Sequence, residues 1–493
     1  MEKKELIILS TKDMKAAEDY TCSLFNITSN DLIMRAGAAI YDFINQESLI
    51  KKEQRVLIIC GPGNNGQDGI ILAQLLISNG FKIKVLLLNE KAEQLNDINI
   101  TKENLVNKND IIKEIERCNI IIDAIFGIGL NKKITGLFFD VIVAINNLQK
   151  KVYSIDIASG LNGDNGIASN IAVKADYTFV MQNYKIGNII NDACDYSGKM
   201  IVLDIGIKLP QEIKPYYLLT EDYVSSLIMP RKDNTHKYDY GKCIIFGGNK
   251  SMVGAPILSS LAALRSGAGL STFAIHRKYR LFFTHYYPEI ILSDYRIREV
   301  KAIIKKAKAL AVGIGLGRKD RTNYRLIKVL LDSNLPIVID ADGLFYLKKN
   351  NDKYYNDLII TPHLKELSDL LDISVQEIKE NPLVAIKKAA QDYNAVVILK
   401  GPATIIADKE KTYFYYKPNS ALATAGTGDV LTGIITSFLA QGYDKIKASL
   451  IAVVLHGISG ELTKEIYGKH GVIASDIIEL LPKAMKLLNN KKL

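Results

Sequence analysis

The sequence predicts an α/β protein of two domains. Apolar runs of four to six residues alternate with longer stretches of helical periodicity along most of the chain, the pattern of βαβ units and parallel sheets. That pattern lapses once, between Leu209-Pro210 and Glu221-Asp222, where Lys214-Pro215-Tyr216-Tyr217 breaks it. The length of 493 residues agrees, since domains of about 100–200 residues imply two or three.

In the first domain, residues 1–213, strands are predicted at Val56–Cys60, Lys82–Leu88, Asn119–Ala124, Val152–Ile157, Tyr177–Met181 and Met200–Asp204. A helix with Ile70, Ala73, Leu76 and Ile77 on its apolar face follows the first strand and stops at Gly80. The second domain, residues 223–493, repeats the alternation, with strands at Lys242–Phe246, Leu270–Ile275, Leu310–Ile314, Pro336–Asp340, Leu358–Thr361, Val396–Leu399 and Thr404–Ile406. Its most apolar helix opens at Asp429, carries Val430, Leu431, Ile434, Ile435, Phe438 and Leu439, and ends near Gly442. Leu487–Leu493 reads as a basic polar tail. No 20–50-residue repeat is present, which excludes solenoids and propellers.

Composition narrows the function classes. With 48% hydrophobic and 24% charged residues the chain is ordinary globular material, not disordered or fibrous. Its longest apolar runs, such as Ile120–Leu130, are broken by Asp123, Gly127 and Gly129, short of the ~18 residues a membrane helix needs. Only four apolar residues follow Lys3 and Lys4 before Ser10, too few for a signal-peptide core, so a cytoplasmic, non-membrane protein is expected. The five cysteines are widely spaced and odd in number, which fits reduced thiols and neither a disulfide framework nor a zinc site. The net charge of +10 comes from 63 basic against 53 acidic residues spread along the chain, without a nucleic-acid motif.

Chemistry is concentrated where strands end. Arg55–Cys60 runs into Gly61-Pro-Gly-Asn-Asn-Gly-Gln-Asp-Gly69 and then a helix; Gly61, Gly63 and Gly66 satisfy GxGxxG, which suits a backbone approaching phosphate at a helix N-terminus. A tight turn alone would also use glycines, but Asn64, Asn65 and Asp68 exceed what a turn needs. Asp123 leads into Phe126-Gly-Ile-Gly-Leu130 and Asp156 into Ile-Ala-Ser159-Gly-Leu. An acid at the end of a buried strand is costly unless it is paired or binds something, and such ends form the ligand crevice of open α/β sheets. Asn65, Asp123 and Ser159 together offer the oxygen donors a hard cation prefers.

In the second domain Ser420-Ala-Leu-Ala-Thr-Ala-Gly426-Thr-Gly-Asp429 sets glycines and an acid at the start of a helix. Gly426–Gly428 gives an amide-lined concavity for an anionic transition state, and Asp429 beside it can accept a proton from a substrate hydroxyl. Gly247-Gly-Asn249, Val253-Gly-Ala255, Gly313-Ile-Gly-Leu-Gly317, Asp340-Ala-Asp342, Thr361-Pro-His363 and Lys400-Gly-Pro-Ala-Thr404 lie at other strand ends. Phosphoryl transfer demands positioning and charge neutralisation of that kind.

Taken with these motifs, GPGNNGQDG, DAIFGIGL and DIASGLNGDNG make the first half resemble the epimerase module of the NAD(P)H-hydrate repair enzymes, a Rossmann-like three-layer domain. The second half resembles their ribokinase-like dehydratase module over about residues 223–490. The resemblance implies that hydrated NADH or NADPH (NADHX, NADPHX) is bound in the first domain by Asn64, Asn65, Gly66, Gln67 and Asp68 and by Gly127, Ile128, Gly129, Leu130, Asn131, Lys132 and Lys133. It implies a potassium ion among Asn65, Asp123 and Ser159, and proton transfer by Asp156 at the hydrated ring. In the second domain it implies contacts from Ala255, Gly315, Gly317, His363 and Asp429 to the hydrated cofactor, with Asp429 catalytic. Lys400, Gly401, Pro402, Ala403, Thr404 and Gly428 would hold ADP or ATP with Mg²⁺. Gln67, Ala158, Pro402 and the Leu364-Lys365-Glu366 turn depart from the family's usual residues. The expected activity interconverts the R and S hydrates and returns the S form to NAD(P)H at the expense of ADP, in a homo-oligomer. A vitamin-type kinase fused to a ligand-sensing domain is the alternative.

Overall fold

The computed structural model describes residues 6–88, 100–282, 287–349 and 357–490. In the first half the apolar runs become β1 (Leu6–Leu9), β2 (Arg55–Cys60), β3 (Lys82–Leu87), β4 (Ile120–Ala124), β5 (Lys151–Ile155), β6 (Tyr177–Met181), β7 (Tyr184–Lys185) and β8 (Lys199–Leu203). Six of these form one parallel sheet in the order β3-β2-β4-β5-β6-β8. β1 and β7 pair in parallel through Ile8–Tyr184 and Leu9–Lys185. Every residue of β4 is buried because helices cover both faces, which is why its sequence is an unalternated Ile-Ile-Ile run. One face packs on the helices Ser29–Gln46 and Asn64–Ser78, the other on Ile111–Arg117 and Leu137–Asn147. From β2 the chain goes to β3 on one side and then to β4 on the other, so the carboxyl ends of β2 and β4 flank a switch point.

The second half carries β9 (Tyr216–Leu218), β10 (Lys242–Phe246), β11 (Leu270–His276), β12 (Ile291–Tyr295), β13 (Ala309–Val312), β14 (Ile337–Ile339), β15 (Leu358–Ile360), β16 (Ala395–Leu399), β17 (Ala403–Ala407) and β18 (Thr412–Tyr416). Their order is β12-β11-β10-β13-β14-β15-β16-β17-β18-β9; the strands are parallel as far as β16, and β16-β17-β18 are antiparallel. The switch point lies between β10 and β13. Helices Gly254–Arg265, Thr427–Ala440, Lys445–Tyr467 and Ala474–Asn490 pack over the sheet. Gly433 permits the first two to touch: a Cβ there would lie 2.1 Å from the Ser259 carbonyl oxygen. Lys445–Tyr467 is 23 residues long and apolar enough for a membrane span, yet 72% of its most apolar window is buried, so it is a core helix of this half.

The chain divides into units Ile7–Tyr216 and Tyr217–Leu493. Several expectations are corrected. β1, β7, β9, β12 and β18 are additional strands; β7 is two residues long, and β12 (ILSDY) is an edge strand with polar positions, so neither shows a buried-strand run. β5 stops at Ile155 instead of Ile157, because Asp156 takes φ +65°. Most of the expected tail is helix, which runs to Asn490; residues 491–493 lie outside the described ones. Gly426, at φ +90°, is the N-cap of Thr427–Ala440, which places Asp429 in the first turn and not at the cap.

Candidate active sites

A cavity of about 560 Å³ opens at the β2/β4 switch point of the first unit. Asn64, Asn65, Asp68, Gly127, Ile128, Gly129, Leu130, Asn131, Lys132 and Asp156 all line it. Helix geometry explains the first three: in Asn64–Ser78, Asp68 lies four residues from Asn64 and three from Asn65, so they share a face. Gln67 falls on the other side and is exposed, and Lys133 is also exposed; neither lines the cavity. Gly66 is a packing glycine, since a Cβ there would sit 2.0 Å from the Gly61 oxygen. The departure at Gln67 therefore leaves the cavity wall unchanged.

Asp123, fully buried at the end of β4, is the tie between loops. Its carboxylate accepts from Ser154 Oγ at 2.7 Å, Ser159 N at 2.9 Å, Ser159 Oγ at 2.5 Å and Ile125 N at 3.2 Å. Burial pushes its pKa up, opposed by these hydrogen bonds. Asn65 differs: it is buried against Gly127, yet neither atom of its amide has a hydrogen-bond partner among the described residues. A buried amide without a partner costs roughly 1–3 kcal/mol, so its oxygen fits a cation with few requirements, as a potassium ion beside Asp123 and Ser159 would be. Asp156 Oδ1 pairs with the ammonium of Lys185, and Asn188 Nδ2 donates to the Asp156 carbonyl at 3.1 Å. Lys185 was not legible from the sequence; as the second residue of a two-residue strand it has no motif around it.

In the second unit the loops after β10 and β13 interlock. Asn249 Nδ2 donates to Gly315 O at 2.8 Å, and a Cβ on Gly315 would sit 3.6 Å from that of Ala255. Gly315 and Gly317 have φ +65° and +78°, and Gly317 N donates to Asp342 Oδ2 at 2.8 Å. Gly428 faces Lys400, whose ammonium would lie 3.4 Å from a Cβ there. The Lys400 ammonium bonds Asp340 Oδ1 at 2.8 Å and lies 4.0 Å from Glu366. Burial would lower its pKa, but the Asp340 and Glu366 carboxylates prevail and raise it. Thr432 Oγ1 occupies the other Asp340 oxygen at 2.7 Å. Gly401 and Pro402 sit exposed between β16 and β17, with Ala403 and Thr404 opening β17. His363 caps Leu364–Leu371, its Nδ1 accepting from Lys365 N at 3.1 Å and Glu366 N at 3.2 Å, and its Nε2 lies 3.6 Å from Glu366 Oε1.

Asp429 has no side-chain hydrogen bond among the described residues. Burial, and secondarily the Asp340 charge, push its pKa up to about 7, with Lys400 opposing. A general base is most effective near the working pH. The shift also has a stability consequence: the folded protein binds this proton more tightly than the unfolded chain, so the favourable contribution is complete below the unfolded pKa and is lost as pH rises through about 7. Asp429→Asn is therefore expected to stabilise the second unit near pH 8 by on the order of 2–4 kcal/mol, with the gain shrinking toward pH 4. Calorimetric melting of both chains across that range measures it; an equal gain at both ends would refute the strain at Asp429.

The family described as YjeF-related protein N-terminus matches residues 29–187, and the one described as NAD(P)H-hydrate dehydratase matches residues 243–483. The chain is 34% identical to the bifunctional NAD(P)H-hydrate repair enzyme of Dictyoglomus turgidum over 97% of this chain and 98% of that one. To the Escherichia coli enzyme of the same description it is 28% identical, over 96% of this chain and 92% of the other. Among solved structures it is similar to the ADP/ATP-dependent NAD(P)H-hydrate dehydratase of Bacillus subtilis co-crystallised with ATP and Mg²⁺, at 28% identity and a TM-score of 0.51, over 55% of this chain and 97% of that one. A vitamin kinase with a sensing domain does not account for relatives that match both halves over nearly their full length: the chain belongs to the bifunctional NAD(P)H-hydrate repair enzymes, with an epimerase and a dehydratase unit.

Proposed function

We propose that the first unit interconverts the R and S epimers of hydrated NADH and NADPH through Asp156, and that the second dehydrates the S form through Asp429. The observation that carries this is an acid in each unit: Asp156 lines the first unit's cavity against the buried Lys185 ammonium, and Asp429, raised to about 7, stands in the first turn of the helix that Gly426 caps. In the second unit Asp429 accepts the ring hydroxyl's proton while that oxygen attacks the terminal phosphorus of ADP and the P–O bond to the leaving AMP breaks; the phosphate then departs from the ring carbon with the C–O electron pair as the neighbouring carbon gives up a proton, which restores the dihydronicotinamide ring. The amides of Gly426–Gly428 at the helix N-terminus stabilise charge on the transferring group. The likeness to the B. subtilis dehydratase supports nucleotide with Mg²⁺ here. Incubating the protein with mixed NADHX epimers, with and without ADP, tests the whole reading: reduced-nicotinamide absorbance should return only with nucleotide, and its failure to return would sink it.

Asn65, Asp123 and Ser159 are the residues that would hold potassium in the epimerase unit, where the ion supplies charge compensation to the ligand loops. Asp123→Ala is a poor probe, because it strands four donor groups. Asn65→Ala breaks no side-chain hydrogen bond among the described residues. It is expected to remove potassium stimulation of epimerisation while leaving the fold intact, read as rate against potassium concentration. An unchanged potassium response would refute the ligand set.

A further inference from the structure

The epimerase cavity holds two carboxyl groups in opposite circumstances. Asp156 is paired with Lys185, whose side chain is only 1% exposed and whose ammonium also donates to the Met181 carbonyl at 2.9 Å. Met181 N donates to Asp156 Oδ1 at 3.2 Å, and Asn188 Oδ1 accepts from Lys185 N at 2.7 Å, so cation and carboxylate are both fixed. Asp68, in the first turns of Asn64–Ser78, is 8% exposed and lines the same cavity, yet has no hydrogen-bond or ion-pair partner among the described residues. A buried carboxyl beside a cation favours its charged form; one without a partner favours the neutral form. Burial pushes Asp68 well above the usual carboxylate range, the charges of Asp156 and Glu18 push the same way, and Lys185 opposes. Glu18 and Lys15, 3.3 Å apart, face the cavity from helix Thr11–Phe25, and Lys132 faces it from the loop after β4.

We propose that Asp68 is the second proton-transfer residue of the epimerisation, the neutral acid that works against the Asp156 carboxylate, and that Lys185 is the positioning residue that divides their roles. This rests on the epimerase reading of the first unit. Water adds to an enamine at the carbon next to nitrogen, so the hydroxyl of the hydrated ring sits beside the ring nitrogen. Asp68 gives its proton to that hydroxyl; the C–O bond breaks, its electron pair leaves with water, and the nitrogen lone pair forms a C=N bond. Water then attacks the same carbon from the other face. As the new C–O bond forms, the C=N pair returns to nitrogen and Asp156 takes the proton. One water leaves and one enters, and no oxidant or reductant is needed. The two carboxyls finish with their protonation exchanged, which is the starting state for the reverse reaction. An interconversion that runs both ways needs an acid and a base at once, and a single carboxyl tied to a lysine supplies only one of them.

The test uses the full chain with separated NADHX epimers and no nucleotide, so that only epimerisation is read. Wild type should lose rate on the alkaline side as Asp68 gives up its proton. Asp68→Asn, which keeps the shape, should lower kcat by about 10²–10⁴ with little change in KM and should lack that alkaline limb. Asp68→Glu should recover part of the rate. Lys185→Met should lower kcat with little change in KM, because the Asp156 carboxylate loses the ammonium that fixes it. The proposal is overturned if Asp68→Asn keeps kcat within about threefold of wild type, well above the range for a lost acid, or if Glu18→Gln and not Asp68→Asn removes the alkaline limb. Should Asp68→Asn fail to fold, the wild-type profile still decides: no alkaline limb anywhere in the range of a stable fold overturns it. Wild type that epimerises nothing would instead overturn the epimerase reading itself.

Discussion

Asp429→Asn should lose ADP-dependent dehydration by about 10²–10⁴ while epimerisation proceeds at the wild-type rate, because a lost general base costs that much and the other acid lies in a separate unit. The amide fills the same space, and no side-chain hydrogen bond is broken. The helix start is unaffected as well, since Gly426 and not Asp429 is its cap. The pH dependence supplies a second signature. Asp429 must be ionised to accept a proton, so wild-type dehydration should climb with pH through about 7 and then level off. The variant's residual rate should show no such rise. Return of reduced-nicotinamide absorbance with ADP measures both. Turnover above about a third of wild type, far outside the cost of losing a base, would remove Asp429 from that role.

Much of the architecture was legible because buried parallel strands need unbroken apolar runs. β2, β4 and β16 each carry three or four consecutive Val, Ile or Leu residues within a strand of five or six, and each was found close to its true bounds. β7 and β12 were not, since a two-residue pairing and an edge strand bury too little to impose a pattern. The polar chemistry divides on the same principle. Asp123, Asp156 and Asp429 stand out because glycine-rich turns surround them in the sequence. Lys185, Asp340, Glu366 and Thr432 matter through partners 29, 60 or 92 positions away, or across the 4.0 Å between Lys400 and Glu366. Only folding brings such partners together.

The fold adds contacts that the motifs do not show. Lys400, which the family resemblance places at the nucleotide, has its ammonium bonded to Asp340 beside Gly428. Removing one member of such a pair leaves the other buried and uncompensated. Gln67 reads as an intrusion into a glycine loop, but helical spacing turns it to solvent.

The division of labour predicts a stall that a second variant relieves. Asp156→Asn in the full chain should epimerise at least 10²-fold more slowly, the usual cost of a missing proton-transfer group. Its backbone should hold, because asparagine tolerates the φ of +65° at that position and its amide oxygen can still accept from Lys185. Given mixed epimers and ADP, this chain should consume one epimer and then stop, because a pocket shaped for one configuration misplaces the other hydroxyl relative to Asp429 and the phosphate. Adding Asp429→Asn chains, which epimerise but do not dehydrate, should restart consumption without any new nucleotide requirement, since the epimers diffuse freely between the two proteins. Chromatography of the separated epimers follows both phases. If Asp156→Asn alone ran to completion faster than the hydrates interconvert in buffer, the dehydratase unit would be accepting both configurations, and the first unit would have to be assigned a role other than feeding it.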